Sequence, residues 1–247
     1  MHKLQDNTAT YLHHPGEVTV WRLDDSAGFP PGLAEQVLSR DELDRANSMA
    51  TPATRRQYLA GRLALRTILG RYTNQSPAAL VFTHGPHQKP ELVQKNTGTP
   101  VWHFSLAHTH GIILIAVGAD GPLGVDVESR QRRLRNFTGL IQRVLTPAEQ
   151  RAIKSDGQSD NLALFLHYWT AKEACLKAIG TGLAQPPKKL HVEFVNETNA
   201  VCCPTDTGDE WQIEFFTPAP GFLAAAASKT PDFRLTMRSF TPDTETV

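Results

Sequence analysis

Two carboxylates in the segment GVDVE have a spacing that suits a shared cation. Asp126 and Glu128 are separated by one valine, so in a strand they project from the same face, about 7 Å apart. Like charges at this distance repel each other unless a cation or water screens them. The simpler explanation is an antiparallel strand with one solvated, acidic face.

A third carboxylate, Glu173, lies in the segment WTAKEACLKAIGTGL, which has the pattern of a helix followed by a glycine stop. Steps of three and four residues place Glu173 on one helical face with Leu162, Leu166, Trp169 and Leu176. An isolated charge on a buried apolar face costs several kcal/mol. Glu173 therefore requires a partner.

Two kinds of partner for Glu173 remain open. One is an ion pair, with Lys177 one helical turn later as the first candidate and Lys172 or an arginine as others. The other is a hard cation shared with Asp126 and Glu128, because Mg²⁺ binds one or two carboxylates together with substrate phosphates. In that case Lys177 is free to contact a phosphate oxygen.

The composition excludes several classes of function. Lys+Arg and Asp+Glu are both 25 among 247 residues, so no global charge attracts the protein to nucleic acid or to an anionic membrane. The cysteines, Cys175, Cys202 and Cys203, form no C-x-x-C pair, which argues against a disulfide framework and a thiolate zinc site. The N-terminal segment has no apolar signal region, and no apolar run reaches about 18 residues. We therefore expect a cytoplasmic protein.

The sequence patterns around the carboxylates predict both helices and strands, and therefore an α+β fold. Capping boxes at Ser39 with Glu42, and at Thr146 with Glu149, begin two helices. Longer helices are predicted over ATRRQYLAGRLALRTILGRY and from about Asn161 to Ile179. Alternating or apolar runs predict strands over EVTVWRL, VWHFSL, GIILIAVGA, GPLGVDVE, HVEFV, EWQIEFF, GFLAAAAS and FRLTMRSF.

A weak internal repeat has an offset of 110 residues. It places Tyr58–Gly70 over Tyr168–Gly180, and Gly111 over Gly221. If the repeat is a duplication, the protein consists of two similar helix-plus-sheet halves, and the cleft between such halves is a favoured ligand site.

GVDVE, followed about forty residues later by WTAKEACLKAIGTGL, resembles the signature pair of the 4′-phosphopantetheinyl transferases. Those motifs have the form G-[IV]-D-[IV]-E and [FW]-x-x-K-E-[AS]-x-x-K-x-x-G-x-G-[LF]. The length resembles the surfactin-synthetase-activating type, a monomer of two similar halves. The resemblance implies an α+β fold with pseudo-twofold symmetry, halves at 1–119 and 120–247, and an active site between them.

The resemblance implies transfer of the phosphopantetheine arm of coenzyme A to a serine of an apo acyl or peptidyl carrier protein, with release of adenosine 3′,5′-bisphosphate. By similarity, Asp126, Glu128 and Glu173 bind Mg²⁺, which holds the pyrophosphate. Lys177 stabilises charge on the phosphates and Glu173 deprotonates the serine. Lys172, Lys177 and Asp126 are assigned to the coenzyme A site.

Other positions follow from the resemblance one by one. In FSLAHTHG, Ser105 and Ala107 replace a family asparagine and serine near the 3′-phosphate, His108 is retained, and Thr109 is a substitute for the lost hydroxyl. HQKPEL resembles a G-K-P loop near the nucleotide, in which Lys89 is retained.

Three arginines on the predicted first helices resemble basic residues of the family. Arg62 is expected to contact a phosphate or to act structurally, Arg55 to contribute beside it, and Arg45 to lie near the 3′-phosphate. Exposed arginines on helices are usually solvated, so an ordinary surface role for each remains open.

The segment ESRQRRLRNF contains a basic run of Arg130, Arg132, Arg133 and Arg135. Its ordinary explanation is a solvated loop or helix face. Its functional explanation is a docking surface for an acidic carrier protein, with Phe137 and Leu140 as an apolar anchor.

Two other functions compete with transfer. A metal-dependent hydrolase could use His103, His108 and His110 with a carboxylate, although strand parity places His103 on the opposite face from the other two. A non-catalytic module that binds coenzyme A would leave the three acids unexplained. A metal titration separates these hypotheses. Mg²⁺ dependence with bound coenzyme A supports transfer, zinc binding without coenzyme A supports the hydrolase, and metal-independent binding of coenzyme A supports the module.

Overall fold

The computed structural model describes residues 14–85, 87, 89–94, 100–155 and 161–242. The strands are β1 (Glu17–Leu23), β2 (Phe82–His84), β3 (Pro90–Leu92), β4 (His103–Thr109), β5 (Ile112–Gly118), β6 (Leu123–Ser129), β7 (Leu190–Phe194), β8 (Asn199–Pro204), β9 (Trp211–Phe216), β10 (Phe222–Ser228) and β11 (Arg234–Ser239). The helices are α1 (Leu33–Val37), α2 (Arg40–Asn47), α3 (Pro52–Thr73), α4 (Phe137–Val144), α5 (Pro147–Ser155) and α6 (Asn161–Ile179).

The strands form two sheets and a small hairpin. The first sheet has the order β11-β1-β5-β4, the second has the order β6-β10-β9-β8-β7, and β2 pairs with β3. Neighbouring strands are antiparallel except β1 and β11, which are parallel. The α+β fold expected from the sequence is confirmed.

Alternation along the central strands divides the core into layers. Residues 113, 115 and 117 of β5 pack against α3, whereas residues 112, 114 and 116 face the second sheet. In β10, residues 224 and 226 meet the first sheet, and residues 223, 225 and 227 pack against α6. The order of layers is therefore α3, first sheet, second sheet, α6.

The two halves share the topology that the repeat predicts. Strands β1-β5-β4 and β6-β10-β9 have the same order, and an offset of 110 residues places β5 on β10. The matched turn glycines, Gly111 and Gly221, both adopt left-handed backbone conformations, with φ of 91° and 85°. Glycine is the residue that adopts this conformation without a steric penalty.

The halves also differ in ways that the repeat does not reveal. β11 lies in the sequence after the second half, yet it pairs with β1 in the first sheet. Helices α1 and α4 and strand β8 were not predicted, although the alternating burial of Ala200, Cys202 and Pro204 in β8 is typical of a strand. The boundary between residues 119 and 120 remains a prediction.

The predicted helix boundaries and caps are largely confirmed. Ser39 accepts from the Glu42 amide, and Thr146 accepts from the Glu149 amide, as the capping boxes require. Burial on α6 extends beyond the face that carries Glu173: the helix is buried on most sides, because the second sheet and the α4–α5 segment both pack against it. Within the described residues, no helix is long and apolar enough to span a membrane.

Candidate active site

The candidate site forms where α6 crosses the edge strand β6 at very short range. A Cβ added to Gly124 would overlap the carbonyl oxygen of Ala174 and lie 2.7 Å from the nitrogen of Ala178. The two backbones can therefore approach only because residue 124 has no side chain. This close approach brings Asp126 and Glu128 of β6 beside Glu173 and Lys177 of α6.

Lys177 joins the two elements. Its Nζ lies 2.8 Å from Asp126 Oδ1 and donates to the Val125 carbonyl oxygen at 3.0 Å. Asp126 Oδ2 is buried and has no hydrogen-bond partner among the described residues. Burial raises the pKa of the Asp126 carboxyl, and the charge of Lys177 opposes this effect. The lysine considered as the partner of Glu173 is thus paired with Asp126.

Glu173 itself is half-buried, and within the described part of the chain its Oε1 atom has no hydrogen-bond partner. Burial, together with the charge of Asp126, raises the pKa of Glu173 to about 7. Such a shift is typical of a carboxylate whose charge lacks compensation and is common at functional sites.

The third carboxylate, Glu128, is already contacted by two donors. Trp169 Nε1 donates to Glu128 Oε1 at 2.7 Å, and Arg132 Nη1 pairs with the same oxygen. Burial and the charge of Asp126 raise the pKa of Glu128, whereas Arg132 lowers it. Neither the Trp169 contact nor the Arg132 contact was predicted, although Arg132 follows Glu128 by four residues.

The chemistry of these side chains fits a hard divalent cation. Two buried carboxylate oxygens, Asp126 Oδ2 and Glu173 Oε1, lack a hydrogen-bond partner among the described residues, and oxygens of this kind are the ligands that a hard cation prefers. Among the described residues, no three His, Cys, Asp or Glu side chains form a ready-made metal cluster. This holds for the histidines of the alternative hydrolase as well as for the carboxylates.

Lys172, which was assigned to ligand binding, has a different environment. It is fully buried, its Nζ lies 2.5 Å from Glu149 Oε2, and it donates to the Val144 carbonyl oxygen at 2.9 Å. Glu149 also accepts from the amides of Thr146 and Val192. Lys172 thus links α6 to the helix cap of α5, and this environment favours a structural role over the ligand binding that the resemblance implies.

Replacing Lys172 with methionine tests this structural role. The change leaves the Glu149 carboxylate buried without its cation, so the free energy of unfolding is expected to fall by about 3 to 5 kcal/mol. Urea denaturation measures the loss, and Lys188→Met, at an exposed position, is the matched control. Unchanged stability with weakened ligand binding would instead favour the ligand-binding role.

Beside the carboxylates lies a cleft of about 830 Å³, which is within the usual size range of small-molecule sites. Its lining includes the basic residues Arg45, Arg62, Arg66, Lys89, His108 and Lys177, and the acids Asp41 and Glu42. None of the three carboxylates lines the cleft, but Lys177 both lines it and contacts Asp126. Lys177 therefore connects the two parts of the site.

Five of the sequence-predicted ligand residues line the cleft, namely Arg45, Arg62, Lys89, His108 and Lys177. Arg55 does not: it is exposed and donates to Asn47 Oδ1 at 3.0 Å. Thr109 does not line the cleft either. Strand parity places its side chain on the face of Ala107, which is buried between the sheets.

Arg62 belongs to a cluster at one end of the cleft. Glu42 accepts from Arg62 Nε at 2.6 Å and from Arg66 Nε at 2.8 Å. The two guanidinium groups lie 4.8 and 5.0 Å from the centroid of the Phe82 ring. The charge of Arg62 is thus partly neutralised by Glu42, which favours the structural role considered for it. Arg66 and Phe82 were not predicted as cleft residues.

Strand β4 contributes His108 and Ser105 to the cleft. Partial desolvation and the nearby charge of Lys177 lower the pKa of His108. Ser105 Oγ accepts from the Val125 amide at 3.1 Å, so this hydroxyl joins the edges of the two sheets. Ala107 is buried between the two sheets.

Lys89 enters the cleft from the loop before β3. Its Nζ donates to the carbonyl oxygens of Leu123 and Ala178, at 3.3 and 3.2 Å. Burial lowers the pKa of Lys89 to about 8, and the charge of Glu91 opposes this effect. An ammonium group has three donors, and the contacts among the described residues use two of them.

Comparison with known proteins gives a consistent answer. Residues 122–227 match the 4′-phosphopantetheinyl transferase superfamily, a span that includes β6 and α6. The chain is 33% identical over 220 residues to the 4′-phosphopantetheinyl transferase HetI of Nostoc sp., covering 81% of this chain and 92% of that protein.

Two more distant relatives bear the same description. A phosphopantetheinyl transferase of Thraustochytrium sp. is 26% identical over 217 residues, covering 81% of this chain and 74% of that protein. The 4′-phosphopantetheinyl transferase Sfp of Bacillus subtilis is 21% identical over 211 residues, covering 81% and 91%. With its two-half fold and the paired motifs on β6 and α6, the chain belongs to the 4′-phosphopantetheinyl transferase superfamily.

Proposed function

We propose that this protein transfers the 4′-phosphopantetheine group of coenzyme A to a serine of an apo carrier protein, in a reaction that depends on Mg²⁺. The observation that carries the proposal is that Lys177 both lines the cleft and contacts Asp126. A phosphate-bearing ligand in the cleft would therefore place its phosphates next to the acidic cluster of Asp126, Glu128 and Glu173. Family membership supports the same reaction class.

The cleft suits the nucleotide part of coenzyme A. Arg45, Lys89 and Lys177 provide positive charge for phosphates, and Tyr58 and Phe82 provide aromatic surface. Asp126, Glu128 and Glu173 are the residues that would hold Mg²⁺, which when bound neutralises charge on the pyrophosphate.

In the proposed reaction, the serine oxygen forms a bond to the phosphorus that carries the pantetheine arm. The bond from this phosphorus to the adenosine 3′,5′-bisphosphate oxygen breaks, and the serine proton leaves. Lys177 stabilises the charge that develops on the phosphate oxygens. Glu173 is proposed to accept the serine proton, directly or through water.

The partner is proposed to dock on the exposed basic run of Arg130, Arg132, Arg133 and Arg135. Phe137 and Leu140, which are only partly buried, lie beside it on α4. A basic surface accelerates encounter with an acidic carrier, and higher salt would weaken this effect. We further propose that the protein acts as a cytoplasmic monomer.

The direct test is incubation with coenzyme A, Mg²⁺ and several apo carrier proteins, followed by mass spectrometry of the carriers. The expected product carries one phosphopantetheine on its serine, and chelation of the metal prevents its formation. Unmodified carriers in every reaction would refute transfer. Binding of coenzyme A without transfer or metal dependence would instead favour the non-catalytic module.

The pKa of Lys89 predicts a pH dependence. Because burial lowers this pKa to about 8, the free protein loses the Lys89 charge as the pH rises above that value. The kcat/KM for coenzyme A should then fall on the basic side of pH 8. Lys89→Arg keeps its charge and should remove this fall, whereas Lys188→Arg should not. The same profile in the Lys89 variant would contradict the phosphate role.

A further inference from the structure

The segment after β6 folds back so that one arginine of the basic run reaches the acidic cluster. The Arg132 amide donates to the Ser129 carbonyl oxygen at 3.0 Å, which closes a tight turn. Arg132 Nη1 then pairs with Glu128 Oε1. Its guanidinium also lies 5.9 Å from the centroid of the Trp169 ring, within the range of a cation–π contact.

Arg132 differs in this respect from its neighbours. Its side chain is 43% exposed, so one side faces solvent while the other contacts Glu128, which is only 9% exposed. Arg130, Arg133 and Arg135 are exposed as well. Arg132 thus belongs both to the basic run and to the acidic cluster.

The charges around Glu128 explain why an arginine is stable there. Asp126 projects from the same face of β6 as Glu128, and Arg132 places its positive charge against Glu128. Without another cation, Arg132 offsets the repulsion between these two carboxylates. A divalent ion that uses the same carboxylate would have to displace the guanidinium or share Glu128 with it.

We propose that Arg132 is an internal competitor for the divalent cation: it holds Glu128 while the metal is absent and weakens metal binding. This inference rests on the proposed function, because it takes Asp126, Glu128 and Glu173 as the metal ligands. The exposed guanidinium can swing into solvent without disturbing the core, so the exchange needs no movement of β6 or α6.

Mn²⁺ titration of the protein in saturating coenzyme A tests the proposal. Electron paramagnetic resonance measures free Mn²⁺, and a parallel titration of coenzyme A without protein gives the Mn²⁺ that coenzyme A binds by itself. Arg132→Gln should tighten the apparent Kd for Mn²⁺ by roughly twofold to fivefold, the range expected for a partly exposed ion pair. Arg133→Gln, which removes the same charge without the Glu128 contact, is the matched control and should change the Kd much less.

A second variant separates charge from geometry. Arg132→Lys keeps the charge but loses the planar donor pair, so its Kd should lie between those of the wild type and Arg132→Gln. If Arg132→Gln binds Mn²⁺ no more tightly than Arg133→Gln does, the competitor role is wrong while the metal site stands. If neither the wild type nor any variant binds more Mn²⁺ than coenzyme A binds by itself, both the metal site and the competitor role are wrong.

Discussion

Glu173→Gln is expected to reduce the rate of carrier modification by at least roughly 100-fold while the fold survives. Glutamine is a weaker metal ligand than a carboxylate and cannot accept the serine proton. The substitution also removes a half-buried carboxylate with an unpartnered Oε1. The thermal midpoint should therefore be equal to or higher than that of the wild type. Mass spectrometry of the carrier gives the rate, and circular dichroism gives the midpoint.

The control for this variant is Glu193→Gln, which makes the same change at an exposed position in β7. It should modify the carrier at the wild-type rate. A Glu173→Gln protein as active as the wild type would show that Glu173 is neither a required metal ligand nor the base. A low rate accompanied by unfolding would instead assign Glu173 a structural role.

Gly124→Ala is expected to damage stability and activity together. A Cβ at this position would overlap the Ala174 carbonyl oxygen and approach the Ala178 nitrogen to 2.7 Å. Since both are backbone atoms of α6, relief requires the helix to move away from β6. We expect a loss of about 1 to 3 kcal/mol or more in the free energy of unfolding. Activity should fall further than the unfolded fraction explains, because Glu173 and Lys177 move with the helix.

Gly28→Ala is the matched control, since an added Cβ at Gly28 meets no atom of the described residues within 4 Å. In urea denaturation and in the carrier-modification assay, this control should have a free energy of unfolding and a rate close to those of the wild type. If Gly124→Ala retained both stability and activity, the close approach of β6 and α6 would not be needed to form the site.

Local patterns were sufficient for much of the fold. The boundaries of α6 and the capping boxes at Ser39 and Thr146 follow from side chains only a few residues apart. Such local features persist in the folded protein because each cap satisfies backbone donors that the helix leaves free. The matched glycines Gly111 and Gly221 similarly report a left-handed turn in each half.

These local patterns do not predict which distant segments pair with each other. Nothing in FRLTMRSF indicates that β11 joins β1 rather than the second sheet, because strand pairing depends on which edge is free after the rest has folded. The environment of Lys172 was hidden for a similar reason. Periodicity identified Glu173 as the misplaced charge, whereas Lys172 is fully buried and pairs with Glu149, which lies 23 residues away.

The sequence by itself determined which residues are proposed to carry the chemistry: the acids of GVDVE, and Glu173 and Lys177 one helical turn apart. It did so because the spacing of a motif fixes the face on which each side chain lies. Only the tertiary structure decided how their charges are compensated, with Lys177 on Asp126 and Arg132 on Glu128. These contacts depend on the approach of β6 to α6 at Gly124 and on the turn after Ser129, and both are properties of the packed chain.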